Sequence, residues 1–419
     1  MSQTTYPSTS GLNRRSIRLL RRLASLAVIA LLGVRWYTTH QDPTVTIPNP
    51  VLPTPNAFDF YVKAGNAITD DRKLHDAASS APTVRYTRAQ KETLVRENAG
   101  VIDTLHQSFA YRYQNPAERS LFAEMPYYAK FRELGRLLAL QGSLRAEEGD
   151  WDGATESYLD AMQMGEEIPH GSPLIGALVG IGCQSMGRRP MWKAVDHLDA
   201  RQSRVAIDRL TADIDRHLSV ADSMQEEKWL GQAEMMQMCH SPSMTSMANL
   251  VFFFYSKKRV MHDYTVYMDR NIQQARQPYS LHPPPPREPT DPINVIILPV
   301  FSYTYTRMQD TNSETQNGLL LITLALRAFR LEHGHYPNTL TELAPGYLKR
   351  LPDDPFAAQG TFHYRLKGQS YVLYSVGPDG EDNGGTPIYD AKKQVGNHPE
   401  ARYSVEQGSI GDVVAGKNM

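Results

Sequence analysis

The spacing of apolar residues predicts that most of the chain is helical. Apolar residues recur at helical intervals between residues 88 and 106, namely at Leu94, Val101, Ile102 and Leu105. Asn56 precedes a similar segment, 57–68, and is a residue type that caps helix N-termini. Further helical patterns cover the segments 117–148, 172–200 (a closely packed pair), 201–238 and 246–277. Together they predict an α-helical domain over residues 57–277.

The pattern changes near the C-terminus. A helical period covers 313–333, and Gly334 is suited to end that helix. Residues 361–367 alternate apolar and polar, and 370–376 are rich in strand-forming residues. Gly368 and Gln369 between them suit a two-residue hairpin turn. Residues 293–390 are therefore predicted to form a small α+β domain, in which a helix covers an antiparallel β-hairpin.

Two proline-rich segments divide the chain. Residues 38–56 are predicted to be an extended stalk, because proline disfavours compact structure there. Residues 278–292 hold seven prolines in fifteen positions and are predicted to link the helical domain to the α+β domain. The polar, glycine-containing segment 391–419 is predicted to be a flexible tail.

The N-terminal 40 residues carry six arginines and no acidic residue, arranged around the apolar run 23–34. We expect a signal-anchor helix over 17–37 that follows a basic cytoplasmic segment, 1–16. That would place the chain in the inner (cytoplasmic) membrane as a single-pass protein, with its N-terminus inside and its body periplasmic or extracellular. A cleaved signal peptide and an amphipathic or buried helix remain alternatives, because the apolar run is short for a membrane span.

Composition excludes some classes of protein. The 419 residues include 44 Lys and Arg against 45 Asp and Glu, whereas nucleic-acid-binding domains usually carry a basic excess. No nucleic-acid partner is therefore expected. The two cysteines are too few for a disulfide-rich scaffold.

One stretch of the helical domain, 135–168, has small and aromatic residues where two antiparallel helices would meet: Gly142, Gly149, Trp151, Ala154, Tyr158 and Ala161. It resembles a single tetratricopeptide repeat. The alternative is an ordinary helical hairpin, since the sequence holds no convincing second copy and repeat arrays need about three.

The C-terminal module carries a more specific series of motifs: ALRAFRLEHGHYPNTLTEL, then LPDDPF, then FHYRLKGQSYVLYSVGPDGEDNGG. The series, over about 313–389, resembles the periplasmic domain of the major pseudopilin of type II secretion. The resemblance implies a bacterial source, the α+β fold and a calcium-binding loop. Assembly into a pilus is not expected, because the N-terminus lacks the prepilin cleavage site and the apolar stem of that family.

The loop that follows the hairpin has oxygen-bearing side chains at alternating positions and then glycine. Calcium takes six to eight oxygen ligands, so this spacing suits it. The predicted calcium ligands are Asp379, Glu381, Asn383 and Asp390. A solvated polar turn is the alternative, because such residues also form turns without a metal.

No catalytic motif is present: the sequence has no G-x-S-x-G, H-E-x-x-H or phosphate-binding glycine loop. Cys183 is predicted to be buried and inert. The leading hypothesis is a non-enzymatic, membrane-anchored structural or protein-interaction protein, related to secretion or envelope assembly and partnered by a protein of the cell envelope. The alternatives are a cell-envelope hydrolase with its site in the helical domain, and a binding module for a peptide or a polysaccharide.

Overall fold

The chain is described by a computed structural model. The described residues are 14–39, 41–78, 86–117, 119–120, 124–240, 255–281, 286–298, 303–393 and 399–418. They form a mostly helical protein with a small antiparallel sheet near the C-terminus. This part of the predicted fold class is confirmed.

The helices, in chain order, are α1 (Arg14–Thr39), α2 (Ala57–Ala67), α3 (Asp71–Ala78), α4 (Arg88–Glu97), α5 (Ala99–Ser108), α6 (Tyr127–Glu147), α7 (Trp151–Glu167), α8 (Leu174–Ala194), α9 (Ala200–Arg216), α10 (Val220–His240), α11 (Lys257–Ala275), α12 (Pro292–Ile297) and α13 (Tyr303–His333). The strands are β1 (His363–Lys367), β2 (Ser370–Ser375) and β3 (Val413–Val414), in the order β1-β2-β3.

Helix α7 lies at the centre of the helical body, between α6 and α8. Gly142 on α6 and Gly187 on α8 both face Tyr158 of α7. A Cβ atom at Gly187 would lie 2.1 Å from the carbonyl oxygen of Tyr158, so only glycine permits this approach. The turn between α6 and α7 contains Gly149 at φ +83°. The predicted hairpin is thus present, while its relation to repeat proteins stays a prediction.

Several helix boundaries differ from the sequence predictions. Asn98 divides the segment 88–106 into α4 and α5. Its buried side chain accepts a hydrogen bond from the backbone N–H of Thr69 and donates one to the carbonyl of Leu94. Segment 172–200 contains one long helix, α8, followed by a short 3-10 turn and the start of α9, not a helix pair. Segment 201–238 contains two helices, α9 and α10, because the chain leaves the helical conformation at His217.

The C-terminal module has the predicted hairpin. β1 and β2 pair antiparallel, with Tyr364 opposite Leu373, and Gly368 turns between them at φ +63°. β3 then pairs with β2. Asp412 and Val413 are fully buried, so residues 412–418 belong to the folded structure and the prediction of a flexible tail over 391–419 is wrong for them.

The helical body and the C-terminal module share one hydrophobic core. Leu159 of α7 and Leu210 of α9 belong to the same cluster as Leu320 of α13 and Leu373 of β2. Tyr279 lies within the segment 278–292 predicted as a linker, and it packs edge-on against Phe356 at 5.1 Å. The segment therefore joins two parts that pack against each other.

Helix α1 contains the segment predicted to be a membrane anchor, 17–37. It is 26 residues long, but six arginines flank an apolar run well short of the roughly 20 residues that a bilayer requires. Among the described residues, no helix has both the length and the apolar content needed to cross a membrane. The predicted signal anchor, and the inner-membrane location that depended on it, are therefore contradicted.

Candidate functional site

A cleft of about 610 Å³ lies between α3, α4, α6 and α8. Arg136 and Ser143 of α6 form one wall, while Ser185 and Arg189 of α8 form the other. α3 and α4 close the cleft, and α4 contributes Lys91. We call it the α8 groove. It is a concave surface between two packed helices.

The side chains around the α8 groove are basic. Lys91, Arg136, Arg189 and His75 line it, and none of its described lining residues is acidic. Glu133 lies beside the groove and pairs with Arg136 and, at 3.5 Å, with His75. Lys91 and Arg189 have no carboxylate partner within the described parts of the chain. Two positive charges are therefore available to an anionic ligand.

The same groove includes a proline inside α8. Pro190 lies inside α8 and has no backbone N–H, so the carbonyl of Met186 loses its normal helical partner. Both residues line the groove. The wall of α8 thus combines a cationic side chain, Arg189, with a carbonyl that lacks its α-helical donor.

A second polar cluster lies where α7, α9 and α13 meet. His217, at the end of α9, has its Nδ1 3.0 Å from Glu166 Oε2. Its Nε2 is 2.8 Å from Glu314 Oε1 and 3.7 Å from Asp310 Oδ1. The Glu314 contact is an ion pair without the alignment of a hydrogen bond. The imidazole is therefore surrounded by three carboxylates from two helices.

Burial lowers the pKa of His217, but its contacts with Asp310, Glu166 and Glu314 outweigh burial and raise the pKa well above its usual range. The ring is thus a cation at neutral pH. Because carboxylates occupy both of its nitrogens, it lacks a free nitrogen for proton transfer to a substrate. The cluster joins α7 and α9 to α13 and does not have the form of a catalytic site.

The predicted calcium ligands do not converge. Asp379 accepts the backbone N–H groups of Glu381 and Gly411, at 3.1 and 2.9 Å. Asp390 accepts the N–H of Lys392, and Glu381 is exposed. Asn383 has a buried Oδ1 without a partner. Among the described residues, no group of three or more His, Cys, Asp or Glu side chains is arranged to hold a metal ion.

Asp412 organises this loop instead. Its carboxylate accepts the backbone N–H groups of Asn383, Gly385 and Thr386. The loop is thus held by its own amides, and its described residues bring no three carboxylates together around an ion. Calcium binding stays a prediction that the geometry does not support.

The two cysteines, Cys183 and Cys239, differ in how deeply they are buried. Cys183 is fully buried, as expected, and burial raises the pKa of its thiol to about 12. Cys239 is half-buried, and burial raises its pKa to about 11. Neither thiol is activated as a nucleophile would be.

Sequence reasoning missed the residues of the α8 groove. Lys91 and Arg189 are 98 positions apart, and each looks like an ordinary surface cation in its own helix. One signal was present: Pro190 interrupts an otherwise helical pattern and follows two arginines. No protein-family model, no curated protein and no solved structure matches the chain. The site is therefore interpreted from its geometry alone.

Proposed function

We propose that this protein is a non-catalytic binding module that holds an extended, acidic segment of a partner protein in the α8 groove. The observation that carries the proposal is a pair of basic residues on a concave surface, Lys91 and Arg189. Neither side chain has a carboxylate partner in the described structure. Charge complementarity selects and orients partners of this kind.

The carbonyl of Met186, which lacks its α-helical donor, is our reason to choose a polypeptide as the ligand. An extended peptide presents backbone N–H groups at regular intervals, and one of them can donate to this oxygen. Carboxylate side chains on the same peptide would then meet Lys91 and Arg189. The groove thus matches the two kinds of group that an acidic peptide carries. The pseudopilin resemblance of the C-terminal module identifies no partner, so the proposal does not depend on it.

The proposal can be tested by fluorescence anisotropy with a labelled peptide rich in Glu and Asp and with a lysine-rich peptide of equal length. We expect only the acidic peptide to bind. Its affinity should fall as the salt concentration rises, because dissolved ions screen exposed charges, with a screening length of about 10 Å at 0.1 M salt. Lys91→Glu and Arg189→Glu should each weaken binding about fivefold, since each loses an exposed ion pair worth up to about 1 kcal/mol and adds a negative charge that repels the ligand.

Lys349→Glu is the matched control, because it makes the same charge change at an exposed lysine outside the groove lining. An equal loss of affinity in that variant would show that net charge, and not the groove, governs binding. Binding of the lysine-rich peptide at equal strength would contradict the proposal. Binding of polygalacturonate in place of the acidic peptide would overturn the assignment to a protein partner.

A further inference from the structure

A second cleft, of about 620 Å³, lies between α8, α13 and residues 404–407. It shares Ser185 and Arg189 with the α8 groove, so the two clefts adjoin along α8. Arg188, which is only 7% exposed, is one of its lining residues. We call it the Arg188 pocket, and its ligand is inferred independently of the proposed function.

Arg188 is a buried cation without a carboxylate partner among the described residues. Its Nη1 donates to Ser313 Oγ at 3.1 Å and to Asn317 Oδ1 at 2.9 Å. Both acceptors are neutral. Asn317 separates the guanidinium from Glu166, since its Nδ2 donates to Glu166 Oε1 at 3.1 Å.

A guanidinium has five N–H donors, and Nη1 supplies two of them. The three donors on Nε and Nη2 have no hydrogen-bond partner in the described structure. Buried charges are normally paired, because removing a charge from water is costly. A mostly buried guanidinium whose Nε and Nη2 lack a protein partner therefore suits a carboxylate, which accepts two parallel hydrogen bonds from this group.

The opposite wall of the pocket carries two acceptors without donors. Gln316 is 2% exposed and Asn312 lies one turn before it on α13. Gln316 Oε1 and Asn312 Oδ1 are both buried without a hydrogen-bond partner. The side-chain amide of Gln316 donates through Nε2 to the carbonyl of Asn418, which fixes Oε1 as the atom that faces away.

We propose that the Arg188 pocket binds a carboxylate that carries an N–H donor on the adjacent carbon, as an N-acylated amino acid does. The carboxylate bonds Arg188, and the N–H donates to Gln316 or Asn312. This ligand pairs the free donors of Arg188 with a carboxylate and gives one of the two free acceptors a donor. A free N-acyl amino acid and the C-terminal residue of a peptide share this chemistry, and the experiment distinguishes them.

The test is isothermal titration calorimetry of the full chain with three probes. N-acetylalanine has both groups, N-acetylalaninamide lacks the carboxylate, and propionate lacks the donor. We expect N-acetylalanine to bind at least tenfold more tightly than either of the other two. Equal binding of the amide would overturn the proposal, and equal binding of propionate would overturn the role of Gln316 and Asn312.

The source of the ligand is tested by an eight-residue peptide with a free C-terminus and by its C-terminal amide. Binding of the free-acid peptide alone, at least tenfold tighter than N-acetylalanine, identifies a chain end. Equal affinity for both acids identifies the small molecule. Because these peptides can be neutral, the result is separate from binding of acidic segments in the α8 groove.

Arg188→Met removes the cation and should abolish binding, but a buried residue can also be needed for folding. Asn312→Asp is the second variant. It changes one atom of a half-buried side chain and places a negative charge in the pocket, so we expect at least a tenfold loss of affinity for N-acetylalanine. Asn338→Asp, at an exposed position, is the matched control. Unchanged binding in Asn312→Asp would overturn the proposal.

Discussion

At the scale of single residues, His217 is the clearest case of a side chain that acts through charge. It lies between Glu166 of α7 and Asp310 and Glu314 of α13, which would otherwise repel one another. Removing one partner of a buried ion pair leaves the other partners without compensation, and such losses cost about 3–5 kcal/mol. The imidazolium therefore stabilises the junction of three helices.

We expect His217→Gln to lower the free energy of unfolding by about 3 kcal/mol, because glutamine has a similar size but no charge. Urea unfolding followed by circular dichroism measures the difference. His262→Gln, at an exposed histidine of α11, should change it by less than about 0.5 kcal/mol. Similar losses in the two variants would contradict a structural role for the charge of His217.

The contribution of His217 should also depend on pH. Its pKa in the folded protein is raised by the three carboxylates. Asp213, Arg188 and His170 also lie near Glu166, and Arg216 lies at the end of α9. The stabilisation should be complete below the unfolded pKa of about 6.5 and should be lost as pH rises through the higher folded pKa. Urea unfolding between pH 6 and 9.5 should show the wild-type and His217→Gln stabilities converging at high pH. Parallel curves would show that His217 does not titrate in this way.

At the scale of secondary-structure elements, close packing of α7 and α8 depends on glycine. We expect Gly187→Ala to destabilise the protein by about 1–3 kcal/mol, because its Cβ would meet backbone atoms of α7 that cannot move independently. Gly182→Ala is the matched control on the same helix, where a Cβ meets nothing within 4 Å. It should stabilise the protein by up to about 1 kcal/mol through helix propensity. Thermal unfolding of both variants checks the contrast.

The sequence predicted the glycine-containing turns between elements best. Gly149, Gly334 and Gly368 all adopt the positive φ that their predicted turns require. Such turns can be predicted from the local sequence, since a backbone with positive φ itself favours glycine. The break at Asn98 depends on a bond to Thr69, 29 residues away, and local periodicity carries no information about it. The site residues Lys91 and Arg189 were missed for the same reason.

The loop after the hairpin is held by the Asp412 carboxylate and also contains the predicted calcium ligands. Asp412→Ala should destabilise the protein by about 1–3 kcal/mol even in a metal chelator, because three backbone N–H groups lose their acceptor. Glu381→Ala, at an exposed predicted calcium ligand, should have little effect there. Thermal melting with calcium and with chelator measures both. A calcium-dependent rise in melting temperature that Glu381→Ala removes would instead support the calcium loop.

At the scale of the whole molecule, the long helix α13 joins the two parts of the chain. It packs against α8 and α9 of the helical body and also against β2. Gly318 of α13 lies against the ring of Phe362, where a Cβ would come within 2.7 Å. Sequence indicated a boundary at the prolines of 278–292, because proline composition is local. Sequence predicted that this helix covers the hairpin, but gave no sign that it would also pack against α8 and α9.

Since Leu210 of α9 and Leu320 of α13 belong to one core, we expect the helical body and the C-terminal module to unfold together. Leu210→Ala and Leu320→Ala each remove a fully buried side chain, which costs about 2–5 kcal/mol. Differential scanning calorimetry should show both variants lowering the same transition. Leu331→Ala, at a 44% exposed leucine of α13, should leave it nearly unchanged. The contrary result would be two transitions, one shifted by Leu320→Ala and the other by Leu210→Ala. That result would show that the proline-rich segment separates independent domains. The contacts of α13 with α9 would then contribute little to stability.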